Sequence, residues 1–148
     1  MRALLQRVAR AEVTVAGEEV GRIGPGLVVF LGLEPGDDRP GGRRLLERVL
    51  NYRVFADSEG RMNCSLRDSG GAILLISQFT LAADTTRGRR PGFSTAMPPA
   101  EAEPLFEALY ADLQALHDSV AGGRFGADMQ VSLLNDGPVT LLLESQRS

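Results

Sequence analysis

The stretch Ala72-Ile73-Leu74-Leu75-Ile76-Ser77-Gln78-Phe79-Thr80 decides how this chain of 148 residues is interpreted. Its unbroken apolar run is typical of a strand that is buried on both faces, and we predict a buried strand over residues 72–82. Burying an unpaired amide or hydroxyl costs roughly 1–3 kcal/mol. The polar residues at the end of the run therefore indicate either the start of a turn or a functional site.

A second polar segment, Asn135-Asp136-Gly137-Pro138-Val139-Thr140, also lies between apolar runs. We predict that these runs form the last two strands, at about residues 128–134 and 138–144. Taken alone, Asp-Gly-Pro between two strands is a common turn signal. Two such polar segments in one chain, however, favour a site over two unrelated turns.

The remaining pattern predicts an α+β fold. Two amphipathic helices are expected, one after Asp37 or Asp38 and one at about residues 100–116, with Pro104 in its first turn. A long loop is expected over residues 84–99. We therefore expect one domain, residues 1–148, with a mainly antiparallel sheet or barrel and two helices packed outside it. Further strands are predicted at residues 2–8, 11–16, 20–23, 27–31 and 53–55.

Composition and charge exclude several classes of protein. Hydrophobic residues make up 43% of the chain and charged residues 24%, which is ordinary for a soluble globular protein. No apolar run is long enough to span a membrane and no secretory signal is evident, so we expect a cytoplasmic protein. A net charge of −3 argues against a general nucleic-acid coat but allows a local basic patch. Without a Cys/His cluster, we expect no metal and no cofactor.

Several stretches of the chain resemble the D-aminoacyl-tRNA deacylase family, first known as D-tyrosyl-tRNA deacylase. The two family signatures, Ser-Gln-x-Thr and Asn-x-Gly-Pro-x-Thr, stand complete at residues 77–80 and 135–140. Gly92 departs from the serine that the family commonly has there, outside both signatures. The resemblance runs from residue 1 to about residue 145, with further matching segments at residues 1–8, 60–63, 88–91 and 123–131.

The resemblance implies an enzyme that hydrolyses the ester between a D-amino acid and the 3′-terminal adenosine of tRNA. It also implies removal of glycine mischarged on tRNA-Ala, because glycine has no side chain to exclude. It implies a homodimer with each site at the interface, where the Gly137-Pro138 peptide of one subunit reaches into the site of the other. That peptide is expected to be cis and to reject L-amino acids with backbone atoms.

The resemblance also implies the site residues, most of which lie in the two signatures. An aminoacyl ester is already activated, so the enzyme has to place water and stabilise the oxyanion. Backbone N–H groups of Phe79 and Thr80 suit the oxyanion, and the Gln78 amide suits the adenosine or its ribose. The attacking group stays open between Thr80, water and the ribose 2′-hydroxyl of the substrate. The expected catalytic residues are Ser77, Gln78, Phe79 and Thr80, and the expected substrate-binding residues are Arg7, Phe125, Met129, Asn135, Gly137, Pro138 and Thr140.

The arginines divide into two groups. Arg87, Arg89 and Arg90, on the long loop, are expected to contact tRNA phosphates, with a merely solvated loop as the alternative. Arg7 is expected to brace the loop at residues 135–140, with a surface charge as the alternative.

Two other residue types are expected to stay outside the chemistry. A Ser-His-Asp triad would need His117 beside a serine, whereas His117 lies at a predicted helix end. Cys64 is expected to be a small packing residue. The competing functions are a noncatalytic RNA- or partner-binding module and a Ser/His hydrolase of small esters.

Overall fold

The computed structural model describes residues 1–146, which form a nearly closed barrel of mixed strands with helices packed outside it. The strands are β1 (Arg2–Val15), β2 (Glu18–Ile23), β3 (Gly26–Gly32), β4 (Phe55–Ala56), β5 (Met62–Cys64), β6 (Ala72–Ser77), β7 (Val120–Gly122) and β8 (Gln130–Glu144). The helices are α1 (Arg39–Asn51), α2 (Leu66–Ser69) and α3 (Pro99–Leu116), with a 3₁₀ turn at Phe79–Ala82. None of the helices in this described part combines the length and apolar character that crossing a bilayer requires.

The main sheet has the strand order β2-β1-β3-β6-β7, and β8 also pairs with β1. β1 pairs antiparallel with β2, β3 and β8, whereas β6 pairs parallel with both β3 and β7. Parallel neighbours need crossover connections, and the chain segments that contain α1 and α3 supply them. The predicted mainly antiparallel sheet or barrel is confirmed, with two parallel pairings at β6 in addition.

The sheet is buried on both faces in its centre. Along β3 and β6, alternate residues such as Val29 and Leu75 pack against the helices, in what we call the helix-side cluster. Their neighbours Val28 and Leu74 pack into a second cluster, the barrel-side cluster, which includes residues of β1, β2 and β8. Burial of both faces explains why β3 and β6 have unbroken apolar runs rather than alternating ones.

Helix α1 begins and packs as its sequence indicates. Asp38 caps it by accepting a hydrogen bond from the Gly41 backbone N–H at 2.8 Å. Helix α1 is also joined to α3. Arg39 of α1 donates two hydrogen bonds to the buried Asp112 carboxylate of α3, at 2.8 and 2.9 Å. These hydrogen bonds hold the pKa of Asp112 below its usual value. The pair therefore joins the two long helices at the surface of the helix-side cluster.

Two helix predictions need correction. A third, four-residue helix, α2, follows β5, with Ser65 and Asp68 forming a reciprocal capping box. Helix α3 begins at Pro99, so Pro104 lies in its second turn and not in its first. Pro104 leaves the Ala100 carbonyl without its usual partner, but both residues are exposed and water can bond that carbonyl.

Strand β8 is one strand of 15 residues and not the two strands predicted, and β1 is likewise continuous over 14 residues. In their antiparallel pair, Gln6 lies opposite Thr140 and Val8 lies opposite Asn135. A single residue of β1, Arg7, therefore faces four residues of β8, which we call the 136–139 bulge. Pairing continues on both sides of the bulge, so the Asp-Gly-Pro segment interrupts a strand without ending it.

The 136–139 bulge exchanges the faces of β8. Leu141 and Leu143 pack with the helix-side cluster, whereas Val131 and Leu133 pack with the barrel-side cluster, although all four positions are odd-numbered. Side chains alternate along a strand with a period of two, so an odd number of extra residues turns the pattern over. The bulge thus lets one long strand contribute to both cores.

Candidate active site

The first signature lies where β6 ends and the chain turns away from the sheet. Ser77 pairs with Leu31, and the Gln78 backbone N–H donates to the Leu31 carbonyl at 2.8 Å. The predicted strand over residues 72–82 is therefore too long, because residues 79–82 form a 3₁₀ turn. The first N–H groups of such a turn have no acceptor within it. Those of Phe79 and Thr80 accordingly make no backbone hydrogen bond within residues 1–146.

Gln78 and Thr80 are joined by their side chains. The Gln78 Nε2 donates to the Thr80 Oγ1 in a short hydrogen bond. Thr80 is exposed and Gln78 is half-buried. The Gln78 amide therefore positions the Thr80 hydroxyl and leaves it accessible. Because the Thr80 oxygen accepts this bond, its own proton is free to be donated to another group.

Asn135 joins the two ends of the 136–139 bulge by hydrogen bonds. Its Nδ2 donates both protons within the chain, to the Arg7 carbonyl at 2.8 Å and to the Val139 carbonyl at 3.0 Å. Thr140 Oγ1 donates to Asn135 Oδ1 at 3.4 Å and accepts from Gln6 Nε2 at 3.2 Å. With both amide protons used, Asn135 is placed to shape the bulge. Gln6, which the sequence interpretation missed, stands one residue before Arg7 and opposite Thr140.

Arg7 braces the bulge from the other strand, as predicted. Its Nε donates to the Asp136 carbonyl at 3.0 Å, and its Nη1 donates to the Val54 carbonyl at 2.7 Å. The Asp136 carboxylate lies 3.7 Å from the guanidinium. Arg7 is largely buried, with a side-chain exposure of 17%, so the guanidinium is an internal support and not a free surface charge.

Gly137 presents bare backbone at the tip of the bulge. The Gly137-Pro138 peptide is cis, and both residues are exposed. Gly137 has φ of +136°, which L side chains rarely adopt, and an added Cβ would lie 2.8 Å from Val139 Cγ2 and 3.1 Å from Arg7 Nη2. Only glycine fits this position.

The two signatures lie far apart within one chain. The first signature begins at the level of Leu31, whose partner on β1 is Ala3, whereas the bulge lies opposite Arg7. Four residues along β1 span about 13 Å, and the three strand spacings from β6 to β8 span about 14 Å. Along the sheet, Thr80 and Gly137 of the same chain are therefore separated both in the strand direction and across the strands.

Phe125 and Met129 lie between α3 and β8. Phe125 packs against the helix-side cluster, with its ring centroid 5.9 Å from that of Phe106. Met129 packs against the barrel-side cluster, and its sulfur accepts a weak hydrogen bond from the Arg124 N–H at 3.4 Å. Their contact with substrate stays a prediction.

The long loop between the 3₁₀ turn and α3 carries a short arm, residues 84–92, which we call the arginine arm. Asp84 and Gly92 close its base with two backbone hydrogen bonds of 2.8 and 2.9 Å. Arg87, Arg89 and Arg90 lie beyond this closure and are all exposed. Their contact with tRNA phosphates also stays a prediction.

His117 is remote from the first signature. Its Nε2 is 2.8 Å from the Gly71 carbonyl, just before β6 begins, while Ser77 ends that strand. Six residues of strand separate these levels by about 20 Å, so His117 cannot act on Ser77 or Thr80. Across residues 1–146, no three His, Cys, Asp or Glu side chains converge as metal ligands would.

Comparison with known proteins gives a consistent result. The family model for D-Tyr-tRNA(Tyr) deacylase matches residues 4–144. A protein named D-aminoacyl-tRNA deacylase from Azotobacter vinelandii is 66% identical over 145 residues, which cover 98% of this chain and all of the relative. One of the same name from Nitrosococcus oceani is 60% identical, covering 97% of this chain and 93% of the relative.

Solved structures share the fold. The c-Myc DNA Unwinding Element Binding Protein superposes with a TM-score of 0.94 at 40% identity, covering 99% of this chain and all of the other. A probable eukaryotic D-amino acid tRNA deacylase superposes with a TM-score of 0.81 at 17% identity, covering 96% and 97% of the two chains. The chain belongs to the D-Tyr-tRNA(Tyr) deacylase family, and it is an enzyme of the hydrolase class.

Proposed function

We propose that this protein hydrolyses the ester bond of D-aminoacyl-tRNA, releasing the free D-amino acid and tRNA, and that its active sites form between two copies of the chain. The observation that carries the proposal is the separation of the two signatures. Both are intact, and each is held by its own hydrogen bonds, yet they lie at different levels of the sheet in one chain. A second copy supplies the missing half of each site.

A partly exposed apolar row on the barrel-side face of the sheet supports a homodimer. Leu4 has Phe30 and Leu142 as its partners on the adjacent strands, and Leu142 is 47% exposed. No helix of the described chain covers this row, because the helices pack on the other face. A two-fold contact places the same patch on both sides and yields two equivalent sites. Stable interfaces of this kind bury on the order of 1,600 Å².

The chemistry assigned to the first signature is modest. The free N–H groups of Phe79 and Thr80 stabilise the oxyanion that forms at the ester carbonyl, an interaction typically worth ~3–4 kcal/mol per donor. Gln78 holds the Thr80 hydroxyl in position, and Ser77 fixes the end of β6 from which the turn departs. The group that attacks the ester is one of three: Thr80, a water held by Thr80, or the ribose 2′-hydroxyl of the substrate.

The second signature is assigned the choice of enantiomer. The Gly137-Pro138 backbone forms a wall beside the α-carbon of the bound aminoacyl group and excludes an L side chain by steric overlap. A wall of backbone atoms does not read the side chain, so D-amino acids of different sizes are accepted. Glycine passes for the same reason, which extends the proposed activity to glycyl-tRNA mischarged on tRNA-Ala. Phe125, Met129 and Thr140 complete the binding surface.

The substrate sets the remaining proposals. Arg87, Arg89 and Arg90 contact tRNA phosphates, since exposed guanidinium groups suit them. Reaction on charged tRNA places the protein in the cytoplasm, and one domain spanning residues 1–148 performs it without a metal or an organic cofactor.

The test is deacylation of matched D-Tyr-, Gly- and L-Tyr-tRNA by the purified protein. We expect turnover of the first two and none of the third. Equal rates on the two tyrosyl enantiomers would refute the assigned chirality filter. Binding of tRNA without any turnover would support a noncatalytic RNA-binding module instead.

A further inference from the structure

Two phenylalanines form an exposed aromatic pair beside the candidate active site. Phe79, inside the first signature, is 58% exposed, and Phe93, just after the arginine arm, is 44% exposed. Their ring centroids are 5.1 Å apart with an interplanar angle of 62°. Most large apolar side chains of the fold are buried, so an aromatic pair that is exposed in the single chain indicates a binding surface.

The arginine arm next to this pair is ordered but unneutralised. Besides the two backbone hydrogen bonds at its base, Asp84 Oδ1 accepts from the N–H and the hydroxyl of Thr86, at 3.0 and 2.6 Å. Thr95 Oγ1 also donates to the Ala82 carbonyl at the end of the 3₁₀ turn. In contrast, Arg87, Arg89 and Arg90 make no hydrogen bond or ion pair with any residue in 1–146. The arm thus presents three free guanidinium groups from a fixed base.

Aromatic rings beside guanidinium groups are the combination that binds single-stranded nucleic acid. Bases stack on the rings, at roughly 1–3 kcal/mol per base, while the cations follow the phosphates. Phe79 directly precedes Thr80, so the pair lies next to the place assigned to the ester. The nucleotides that come next in a tRNA are the unpaired ones before the terminal adenosine.

We propose that the Phe79–Phe93 pair stacks with an unpaired base of the tRNA 3′ end, upstream of the terminal adenosine. The arginine arm then binds phosphates of the same unpaired strand. The proposal rests on the proposed function for the identity of the RNA. A second copy of the chain is a weaker occupant. A two-fold contact centred on the pair would bring the free arginines of both arms together, and like charges repel.

Binding of a fluorescein-labelled ACCA-3′ tetranucleotide, followed by anisotropy, tests the proposal without any deacylation. Phe93→Leu keeps an apolar side chain but removes the ring, and we expect affinity to fall at least about fivefold. Phe93→Trp should restore or exceed wild-type affinity. Tyr52→Leu, which alters an aromatic residue 40% exposed elsewhere, is the matched control and should bind as the wild type does. Wild-type affinity in Phe93→Leu would overturn the proposal.

Salt dependence separates stacking from phosphate contacts. Each phosphate neutralised on a single strand contributes about 0.7 to the slope of log affinity against log salt. Replacing Arg87, Arg89 and Arg90 together by alanine should lower that slope by about 2, whereas Phe93→Leu should leave the slope unchanged. Equal slopes in the triple variant and the wild type would show that the arginine arm does not contact the RNA phosphates.

Kinetics on two substrates then locate the contact. On D-Tyr-tRNA, Phe93→Leu should raise KM at least about fivefold with little change in kcat, and on D-tyrosyl-adenosine, which lacks the upstream nucleotides, it should change neither. A loss of dimers in light scattering, with RNA binding unaffected, would assign the pair to a subunit contact and refute the proposal. A wild-type protein that cannot deacylate D-Tyr-tRNA would defeat the proposed function, while Phe93-dependent RNA binding would still support this surface.

Discussion

Asn135 and Arg7 hold one another across the pair of β1 and β8. The Asn135 amide donates to the Arg7 carbonyl at 2.8 Å, and the Arg7 guanidinium donates to the carbonyl of Asp136, the next residue along from Asn135, at 3.0 Å. The side chain of each residue thus supports the backbone of the other strand. The Gly137-Pro138 peptide lies immediately beyond these two bonds, so its position depends on both.

Removing the Asn135 donors should loosen the bulge. Asn135→Asp keeps the shape but replaces the Nδ2 donor with an acceptor oxygen that faces both the Arg7 and the Val139 carbonyls. We expect a loss of about 1–3 kcal/mol in the free energy of unfolding. For a domain of this size that lowers Tm by roughly 2–4 °C per kcal/mol, measurable by calorimetry. Deacylation should fall as well. An unchanged Tm would show that the amide does not support the strand.

Adding a methyl group at Gly137 should damage activity on every accepted substrate. Gly137→Ala places a Cβ 2.8 Å from Val139 Cγ2 at a φ of +136°, so the bulge has to shift. We expect at least about tenfold lower kcat/KM on both D-Tyr- and Gly-tRNA, equivalent to ~1.4 kcal/mol. Gly24→Ala is the matched control, because nothing lies within 4 Å of its added Cβ. A fully active Gly137→Ala protein would mean that the peptide is only a structural link.

Thr80 and Gln78 should matter where the single histidine and cysteine do not. Thr80→Ala and Gln78→Ala should each slow single-turnover deacylation by about tenfold or more, since one removes the hydroxyl and the other its hydrogen-bond donor. His117→Ala and Cys64→Ser should be close to wild type. Loss of activity in a folded His117→Ala protein would contradict the geometry, which places His117 at the other end of β6.

Mixing two impaired variants should restore activity if sites form between subunits. In a heterodimer of Thr80→Ala and Gly137→Ala chains, one site carries both substitutions and the other carries neither. Random exchange of subunits should therefore recover about a quarter of the wild-type specific activity. Each variant alone, taken through the same unfolding and refolding, is the control. No recovery, with heterodimers demonstrated by mass spectrometry, would place Thr80 and Gly137 outside a shared site.

The Arg39–Asp112 pair predicts a pH-dependent contribution to stability. The pKa of Asp112 is lowered in the folded protein, so its contribution is present above the unfolded pKa of about 3.9 and is lost as the pH falls through the folded value. Asp112→Asn should be less stable than the wild type at pH 7, and the difference should shrink below about pH 4. Chemical unfolding at both pH values measures it. A difference that persists undiminished in acid would show that ionisation of Asp112 is unimportant.

The sequence predicted local features well and pairing poorly. Unbroken apolar runs revealed β3 and β6 because burial on both faces leaves a direct trace in composition. Asp38 was predicted as one of two possible caps for the same local reason. The continuity of β8 was missed because its break at Gly137-Pro138 has the local form of a turn, and only the register with β1 shows that the strand resumes.

In the candidate site, too, local features were predicted and contacts between distant residues were not. The two signatures carried the resemblance, and their residue types indicated ester chemistry. The bracing by Arg7 was predicted and is present. The double donation by Asn135, the supporting contact from Gln6 and the ring pair made with Phe93 depend on neighbours that are distant in sequence. No periodicity or motif in a single chain encodes those neighbours.

The odd number of extra residues in the 136–139 bulge ties the length of this loop to the core. Inserting or deleting one residue there would turn Leu141 and Leu143 away from the helices and direct Thr140 and Leu142 at them instead. Side chains in the bulge can be exchanged without that consequence, whereas its length cannot change by an odd number of residues. Natural or designed variation of this loop is therefore limited to substitutions and to changes of length by an even number of residues.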